Sequence, residues 1–558
     1  MRASRPLPSA PPPNKLASSC TSKALVPHGA GLLSFFETCG WYAGQVDSER
    51  RLHSPSPAQN SEPLDRLLPQ CNGHRQLTLP SLELSPPPVA GIPERARRIF
   101  CNRNIRLDQI DWVGFDLDYT LAVYDQPKMD QLTIRAALPK LVARGYPASL
   151  CDVAYILDFP VRGLVVDRKL GNVLKMDCHK YVKRAYHGLT ELSYEQRRAS
   201  YHGTRIRAKG TSRFHFIDTL YALSEVTLFA CGVQHMEALG MSVDYTRWFT
   251  DIRDSVDISH QDGTILGSIV KSPGDYVIRD PALPFALHTL RSAGKKLFLL
   301  TNSQPVYTDV MMRYLLEGRL PEYKSWRQMF EIVITAAKKP RFFIDESTPF
   351  LDDKGQEVTR FSRGKVLVGG CVGELARLGG FVGDRVLYVG DHIYGDVLRA
   401  KKHSPWRTAM IIQELGQELA GVDSSMAATD RWDALEAARE ALADELRSAQ
   451  SAFKQLERPP LPEDASIQAE QLRLRRRVER AKSRLRSVDT ECHDLERAIE
   501  SCFHPYWGPL LKAGAEPSLF GDQVEAYACL YTAKVSNLLG YSPLHYFRCP
   551  RDRLPHEL

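Results

Sequence analysis

Four short aliphatic runs, widely separated, set the pattern of this chain. They are Val113-Gly114-Phe115, Leu297-Phe298-Leu299-Leu300 (entered from Lys295-Lys296), Ile332-Val333-Ile334 and Val386-Leu387-Tyr388-Val389. Their apolar positions are continuous rather than alternating, which predicts strands buried on both faces, as in a parallel sheet covered by helices. Each leads into polar groups: Asp116-Leu117-Asp118-Tyr119-Thr120, then Thr301-Asn302-Ser303, then Lys338-Lys339-Pro340, then Gly390-Asp391-His392-Ile393-Tyr394-Gly395-Asp396. The expected fold is therefore α/β, with these polar segments gathered at the C-terminal edge of a parallel sheet, where such sheets bind ligands.

The intervening chain is uneven. Far more residues separate Thr120 from Lys295 than a crossover helix needs. This predicts an inserted cap over 131–279 and a core divided into 95–130 and 280–425. Asp352-Asp353-Lys354-Gly355 has the composition of a hairpin turn. Beyond residue 430 the period becomes helical. Leu435, Leu442, Leu446, Phe453 and Leu456 recur at spacings of seven, four, seven and three. Leu474, Val478, Ala481, Leu485, Val488, Cys492, Leu495 and Ile499 alternate four and three. With Pro459-Pro460 and Pro462 between them, these predict an antiparallel helical hairpin over 430–502 with a coiled-coil-like seam. The segment 503–558, helical in period from Gln523 to Leu539, is expected to pack on the core and to suit an oligomer interface.

Composition adjusts this picture only at the ends. The chain has 558 residues, 43% hydrophobic and 25% charged, with a net charge of +7. This is a soluble, multidomain composition with no apolar run of membrane-spanning length. The mild positive charge suits an anionic substrate without implying nucleic acid. Twelve scattered Cys form no CxxC pair, as expected of reduced thiols in a cytoplasmic protein. Residues 1–94 are rich in Pro and Ser and predict a disordered, dispensable tail, despite basic Arg2, Arg5, Lys15 and Lys23 before the first acid, Glu37. In the second hairpin helix, Arg473, Arg475, Arg476, Arg477, Arg480, Lys482, Arg484 and Arg486 share the surface with Glu470, Glu479, Glu491 and Glu496, the composition of a solvated face.

The polar edges form a chemical set: an acid pair, a hydroxyl with an amide, a lysine and a second acid pair. Phosphoryl transfer needs those groups. One carboxylate can attack phosphorus, others can hold a hard cation, and donors and an ammonium take up the charge on the phosphate oxygens.

The four segments resemble motifs I to IV of the haloacid-dehalogenase (HAD) superfamily. The strings Ile99-Phe100-Cys101-Asn102-Arg103, Gly114 to Tyr124, Phe159-Pro160-Val161-Arg162-Gly163-Leu164, Asp251-Ile252-Arg253-Asp254-Ser255-Val256-Asp257 and Tyr388 to Asp396 resemble the cytosolic purine 5′-nucleotidases that prefer IMP and GMP. The resemblance implies a HAD-like Rossmannoid core and Mg²⁺-dependent hydrolysis of purine nucleoside 5′-monophosphates to nucleoside and phosphate. It implies an aspartyl-phosphate intermediate, able to pass its phosphate to an acceptor nucleoside, and a homodimer or tetramer. By the same resemblance Asp116 is the nucleophile and Asp118 the acid/base, which must start protonated through partial burial and a neighbouring like charge. Mg²⁺ falls to Asp116, the backbone carbonyl of Asp118, and Asp391, with Asp396 orienting its waters. Thr301, Asn302 and Ser303 fall to the phosphate oxygens, and Lys339 to their charge, with Lys338 as the alternative lysine. Arg253, Asp257 and His260 fall where the family reads a 6-oxopurine and its ribose. Tyr221 stands where a stacking Phe is usual and Asp218 where an Asn is usual. Gln261 and Leu266 stand where a Tyr and a Lys are expected, which leaves the base preference open. Tyr394 and Lys402 match an effector site for nucleotides such as ATP. Two other readings stand beside this one: a HAD phosphatase of another metabolite, and a non-catalytic scaffold that binds a partner or RNA through the basic hairpin. The scaffold should have lost a motif residue, and none is lost.

Overall fold

A computed structural model describes residues 94–203, 206, 212–381, 383–457 and 465–550. The Pro/Ser-rich tail and the Pro459-Pro460 break of the hairpin lie outside the described residues.

Nine strands form the central sheet. In chain order they are β1 (Phe100–Cys101), β2 (Trp112–Phe115), β3 (Lys296–Leu300), β4 (Ile332–Thr335), β5 (Phe350–Leu351), β6 (Val366–Gly369), β7 (Val386–Gly390), β8 (Arg407–Ile411) and β9 (Leu530–Thr532). Their order across the sheet is β1-β9-β8-β7-β2-β3-β4-β6-β5. The seven inner strands are parallel, and the two short edge strands run antiparallel. The four aliphatic runs thus become β2, β3, β4 and β7, adjacent in the sheet and buried on both faces. Close packing explains Gly114 within β2: a Cβ there would lie 2.1 Å from the Phe298 ring of β3. Asp352 to Gly355 forms the expected turn, with Gly355 N–H donating to Asp352 O (3.1 Å) and Gly355 at φ +77°.

One expectation fails. The segment Gln523 to Leu539 is not a single helical stretch. A helix ends at Tyr527, Leu530–Thr532 enters the sheet as β9 beside β8, and a 3₁₀ segment follows from Val535. Ala528-Cys529-Leu530 is fully buried, and a short apolar run of this kind fits strand or helix equally by periodicity. The unpaired edge of β8 decides between them, so the C-terminal segment completes the sheet as well as packing on it.

Between β2 and β3 the chain builds a five-stranded antiparallel sheet, ordered Thr190–Glu191, Val182–His187, Asn172–Met176, Val165–Asp167, Phe214–Phe216. Three long helices accompany it: α1 (Gln126–Ala143), α2 (Leu223–Ala238) and α3 (Tyr245–Gln261). Asp125 caps α1 by accepting from Lys128 N–H, and Asp244 caps α3 by accepting from Arg247 N–H. Met129, Ile134, Leu141, Phe229, Trp248, Phe249 and Ile252 from these helices share one apolar cluster with Val113, Phe115 and Leu299 of the central sheet.

Beyond β8, α4 (Leu415–Leu456) and α5 (Ala465–Ser501) lie against each other. Leu435, Ala449, Leu474, Ala481 and Cys492 are buried in their seam. Helix α4 begins well before residue 430, because Leu415 and Leu419 extend its apolar stripe onto Met410 and Ile412 of the core. Cross-helix pairs join Arg431 to Glu491 (2.7 Å) and Arg477 to Glu445 (2.9 Å). No helix among the described residues is long and apolar enough to cross a membrane.

Candidate active site

Register brings the polar segments together. Phe115 of β2 pairs with Leu299 of β3 on one side and Val389 of β7 on the other. The next residues therefore leave the sheet side by side: Asp116 donates its N–H to Val389 O (2.9 Å), and Thr301 donates its N–H to Ile334 O (3.0 Å). After Asp118 the chain turns sharply. Tyr119 takes φ +56°, a left-handed conformation that costs a non-glycine residue about 1–3 kcal/mol. Bonds from Thr120, Leu121 and Ala122 N–H to Leu117 O hold the turn, and Gln413 Nε2 donates to Tyr119 O (3.0 Å). After β7, Asp396 folds back over Gly390, where a Cβ would lie 2.6 Å from the Asp396 Cβ.

At the centre, Lys339 Nζ lies 2.9 Å from Asp116 Oδ2 and 2.7 Å from Asp396 Oδ1, and it donates to Tyr388 Oη (3.0 Å). Tyr388 Oη in turn donates to Asp396 Oδ1 (3.2 Å) and Leu300 O (3.1 Å). The neighbouring Lys338 is exposed and makes no such contact. Burial opposes the charge on Lys339, yet Asp116 and Asp396 outweigh it and hold the ammonium above its ordinary value. Burial also raises Asp116, with Lys339 opposing and Asp396 and Asp391 adding to the rise. Asp391 is pushed up to about 8 by burial and then by Asp396.

Asp118 stands apart from that network. Its oxygens accept from Tyr124 Oη (2.6 Å) and Ser303 Oγ (2.5 Å), and Tyr124 Oη is 2.7 Å from Tyr307 Oη. Burial raises its pKa, while the bonds from Ser303 and Tyr124 lower it. Burial, rather than the expected neighbouring carboxylate, is thus the main force toward a protonated Asp118. The Thr301-Asn302-Ser303 segment is largely engaged already. Thr301 Oγ1 accepts from Ser303 N–H (3.1 Å), and the Asn302 amide spans the lysine loop, accepting from Lys339 N–H (2.6 Å) and donating to Lys339 O (3.1 Å).

The donor set suits a hard divalent cation. Carboxylate oxygens of Asp116, Asp391 and Asp396 lie within 4.8 Å of one another, all three are buried, and among the described residues Lys339 is the one cation that pairs with the group at 2.7 to 2.9 Å. Three carboxylates against one ammonium leave surplus negative charge, and all the donors are oxygen, as Mg²⁺ requires.

The inserted helices approach the same place. The Tyr221 ring stands edge-on to Tyr119 (4.8 Å between centroids) and 5.9 Å from His260. Burial lowers the His260 pKa, opposed by the charges of Asp257 and Asp118. Arg253, Asp257 and His260 follow at spacings of four and three on one face of α3. Arg253 Nη1 donates to His215 Nε2 (2.7 Å), and its Nε lies 3.9 Å from Glu225 Oε2. Asp257 is exposed. Asp218 is half-buried, and its charge adds to the rise of the Arg162 pKa. Tyr394 and Lys402 are not joined to each other: Tyr394 Oη accepts from Arg399, and Lys402 Nζ lies over the Tyr527 ring at 5.5 Å.

Sequence reasoning missed the supports of this site. Arg162, fully buried, donates to Asp391 O (2.9 Å) and grips Glu414 through Nε (2.8 Å) and Nη2 (2.6 Å). Arg162, Tyr124 and Tyr388 all lie in strings that carry the family resemblance, but the sequence assigned none of them a role.

Residues 99–558 match a family model described as the 5′ nucleotidase family. The 5′-nucleotidase domain-containing protein 2 of Rattus norvegicus is 29% identical over 492 residues, covering 85% of this chain and 82% of its own. That of Homo sapiens is 29% identical over 502 residues, covering 87% and 89%. A solved structure of CbbY from Rhodobacter sphaeroides in complex with phosphate aligns with a TM-score of 0.21 and 14% identity, covering 54% of this chain and 86% of that one. At that score the likeness carries no argument.

Proposed function

We propose that this chain, which belongs to the 5′ nucleotidase family, hydrolyses purine nucleoside 5′-monophosphates, IMP and GMP foremost, by a Mg²⁺-dependent reaction through an aspartyl-phosphate. The observation that carries the reading is the pairing of opposite environments two residues apart. Asp116 pairs with an ammonium at 2.9 Å, while Asp118 accepts its hydrogen bonds from the hydroxyls of Ser303 and Tyr124. An ammonium favours the carboxylate that a nucleophile must be, and burial among neutral donors favours the carboxylic acid that a proton donor must be.

In this reading Asp116 Oδ attacks phosphorus as the bond to the nucleoside 5′-oxygen breaks, and Asp118 gives its proton to that oxygen. Asp118 then takes a proton from water, the water oxygen attacks the aspartyl-phosphate, and phosphate leaves with Asp116 restored. A nucleoside 5′-hydroxyl in place of water completes a phosphotransfer. Asp116, Asp391 and the Asp118 carbonyl would hold Mg²⁺, with Asp396 beside them, and the ion would supply positive charge to the phosphate oxygens. Lys339 opposes the rise that burial imposes on the Asp116 pKa and takes up charge on the transferring group. Asn302 fixes the lysine loop through its backbone bonds, and Ser303 holds Asp118. Tyr221 and His260, beside Tyr119, supply an aromatic face and a donor for a purine, with Arg253 and Asp257 further along α3.

Phosphate release from a panel of nucleoside monophosphates tests this. IMP and GMP should give the highest kcat/KM in Mg²⁺ and no turnover in chelator. AMP or CMP as the best substrate would overturn the assignment of the base-reading residues, and full turnover in chelator would overturn the metal assignment.

A further inference from the structure

Away from the carboxylate cluster, a second group of metal-competent side chains lies where the inserted sheet meets the C-terminal segment. The turn after Asn172–Met176 carries Cys178 and His179, and the small hairpin of Lys512–Ala513 and Glu516–Pro517 carries Glu516. Cys178 Sγ is 3.8 Å from Glu516 Oε2, and His179 Nε2 is 3.8 Å from the same oxygen. All three donor atoms lie within 4.8 Å of one another. Backbone pairing sets this arrangement. Cys178 N–H donates to Pro517 O (2.9 Å), Asp177 bridges Ser518 in antiparallel fashion, and Asp177 Oδ1 accepts from Tyr181 N–H (2.9 Å) to close the turn.

We propose that Cys178, His179 and Glu516 form a Zn²⁺ site that fastens the inserted sheet to the C-terminal segment. A thiolate, an imidazole and a carboxylate are a zinc donor set, and the sulfur and nitrogen disfavour Mg²⁺ and Ca²⁺. Tetrahedral bonds of about 2.3 Å to sulfur and about 2.0 Å to nitrogen and oxygen place S···O about 3.5 Å and N···O about 3.3 Å apart. The observed 3.8 Å separations are within a few tenths of an ångström of those spans, so small side-chain rotations complete the site. The side chains of His179 and Glu516 are 63% and 47% exposed, which leaves the fourth position open to water. Charge points the same way. Asp177 is matched by Lys183 at 3.1 Å, and Asp522 has Lys180 near it, whereas among the described residues no lysine or arginine is bonded to Glu516 or to the thiol that it faces. The site is separate from the carboxylate cluster and does not rest on the catalytic reading.

The test uses the full-length protein, stripped by chelator and titrated anaerobically with Co²⁺ as a spectroscopic substitute for Zn²⁺. One equivalent should bring up a thiolate-to-cobalt charge-transfer band that Zn²⁺ bleaches. Cys178→Ser should abolish the band. His179→Ala, at an exposed side chain that packing does not need, should weaken Co²⁺ binding at least about tenfold. Asp391→Asn should leave the band intact. A wild-type protein without the band, or a band that persists in Cys178→Ser or binds as tightly in His179→Ala, overturns the site.

Discussion

Arg162→Met separates a supporting residue from the groups it supports. The guanidinium is fully buried and makes three bonds: one to the Asp391 carbonyl at 2.9 Å and two to Glu414 at 2.8 and 2.6 Å. Methionine keeps much of the apolar stem, but offers no donor and removes the guanidinium that lies over the Phe520 ring at 5.1 Å. Two debts remain. The Asp391 carbonyl loses its donor, which costs about 1–3 kcal/mol, and Glu414 becomes a carboxylate without its partner. Removing one member of a buried pair typically costs about 3–5 kcal/mol. The Glu414 side chain is 23% exposed and keeps some water, so the expected total is at the lower end, about 3 kcal/mol. Urea unfolding at pH 7 in chelator should show this as a lower midpoint with an unchanged slope. The double variant Arg162→Met with Glu414→Gln removes the stranded charge and should recover about half of the loss. Because Arg162 fixes the backbone of Asp391, the Mg²⁺ concentration for half-maximal turnover should rise about 10–100-fold, the usual effect of losing a group that orients a ligand. A single variant within about 0.5 kcal/mol of wild type, a double variant no better than the single, or an unchanged Mg²⁺ requirement refutes the role assigned to Arg162.

Asp116→Asn should abolish turnover with the fold intact, whereas Asp118→Asn should slow release of poor leaving groups yet accumulate phosphoenzyme from p-nitrophenyl phosphate; rapid-quench trapping that finds phosphoenzyme on Asp116→Asn, or the same behaviour in both, refutes the two roles. In chelator, Asp391 has a folded pKa of about 8 against an ordinary 3.8, so the folded chain keeps a proton that the unfolded chain has released. Stability from this group is complete below about pH 4 and falls by about 1.4 kcal/mol per unit as pH rises to 8; urea unfolding between pH 5 and 8 should show that extra slope in wild type and not in Asp391→Asn, and parallel profiles sink the idea. Gly390→Ala drives a methyl group to 2.6 Å from the Asp396 Cβ, and should cost about 1–3 kcal/mol in unfolding assays and most of the kcat by displacing Asp396 from Lys339; a fully active variant contradicts the packing.

The elements legible in the sequence were those whose signal is local. Leu297 to Leu300 or Val386 to Val389 is apolar at every position, because a central parallel strand is buried on both faces, and no other context is needed to read it. The polar residues after these runs were legible for the same reason: they sit at the first positions beyond a strand end. What stayed hidden depends on distance along the chain. The β9 strand exists because β8 offers an open edge, and nothing within Leu530-Tyr531-Thr532 announces that edge. Arg162 is a support because Asp391 and Glu414 fold against it, 229 and 252 residues away. Cys178 and His179 have no zinc spacing of their own, since the third donor, Glu516, comes from the far end of the chain. The engagement of Asn302 with the Lys339 backbone is of the same kind: the residue was visible as a polar group at a strand end, but its partner was not.

Asp116 and Asp118 place two carboxyl groups on one buried edge in different surroundings. Burial alone pushes both toward the neutral acid, so depth does not distinguish them. What distinguishes them is the turn that follows the strand, held by bonds to Leu117 O, which carries the two carboxylates toward different partners. Asp116 meets Lys339, whose ammonium is itself kept charged by Asp116 and Asp396 against the cost of burial. Asp118 meets Ser303 and Tyr124, which satisfy its oxygens without supplying a full charge. On the proposed mechanism this is the division of labour that the reaction needs. Its maintenance falls to supporting contacts: Asn302 holds the lysine loop, Tyr388 ties Lys339 to Asp396, and Arg162 fixes the turn that carries Asp391. A change in any of these supports should therefore alter the proton balance of the edge before it alters the fold.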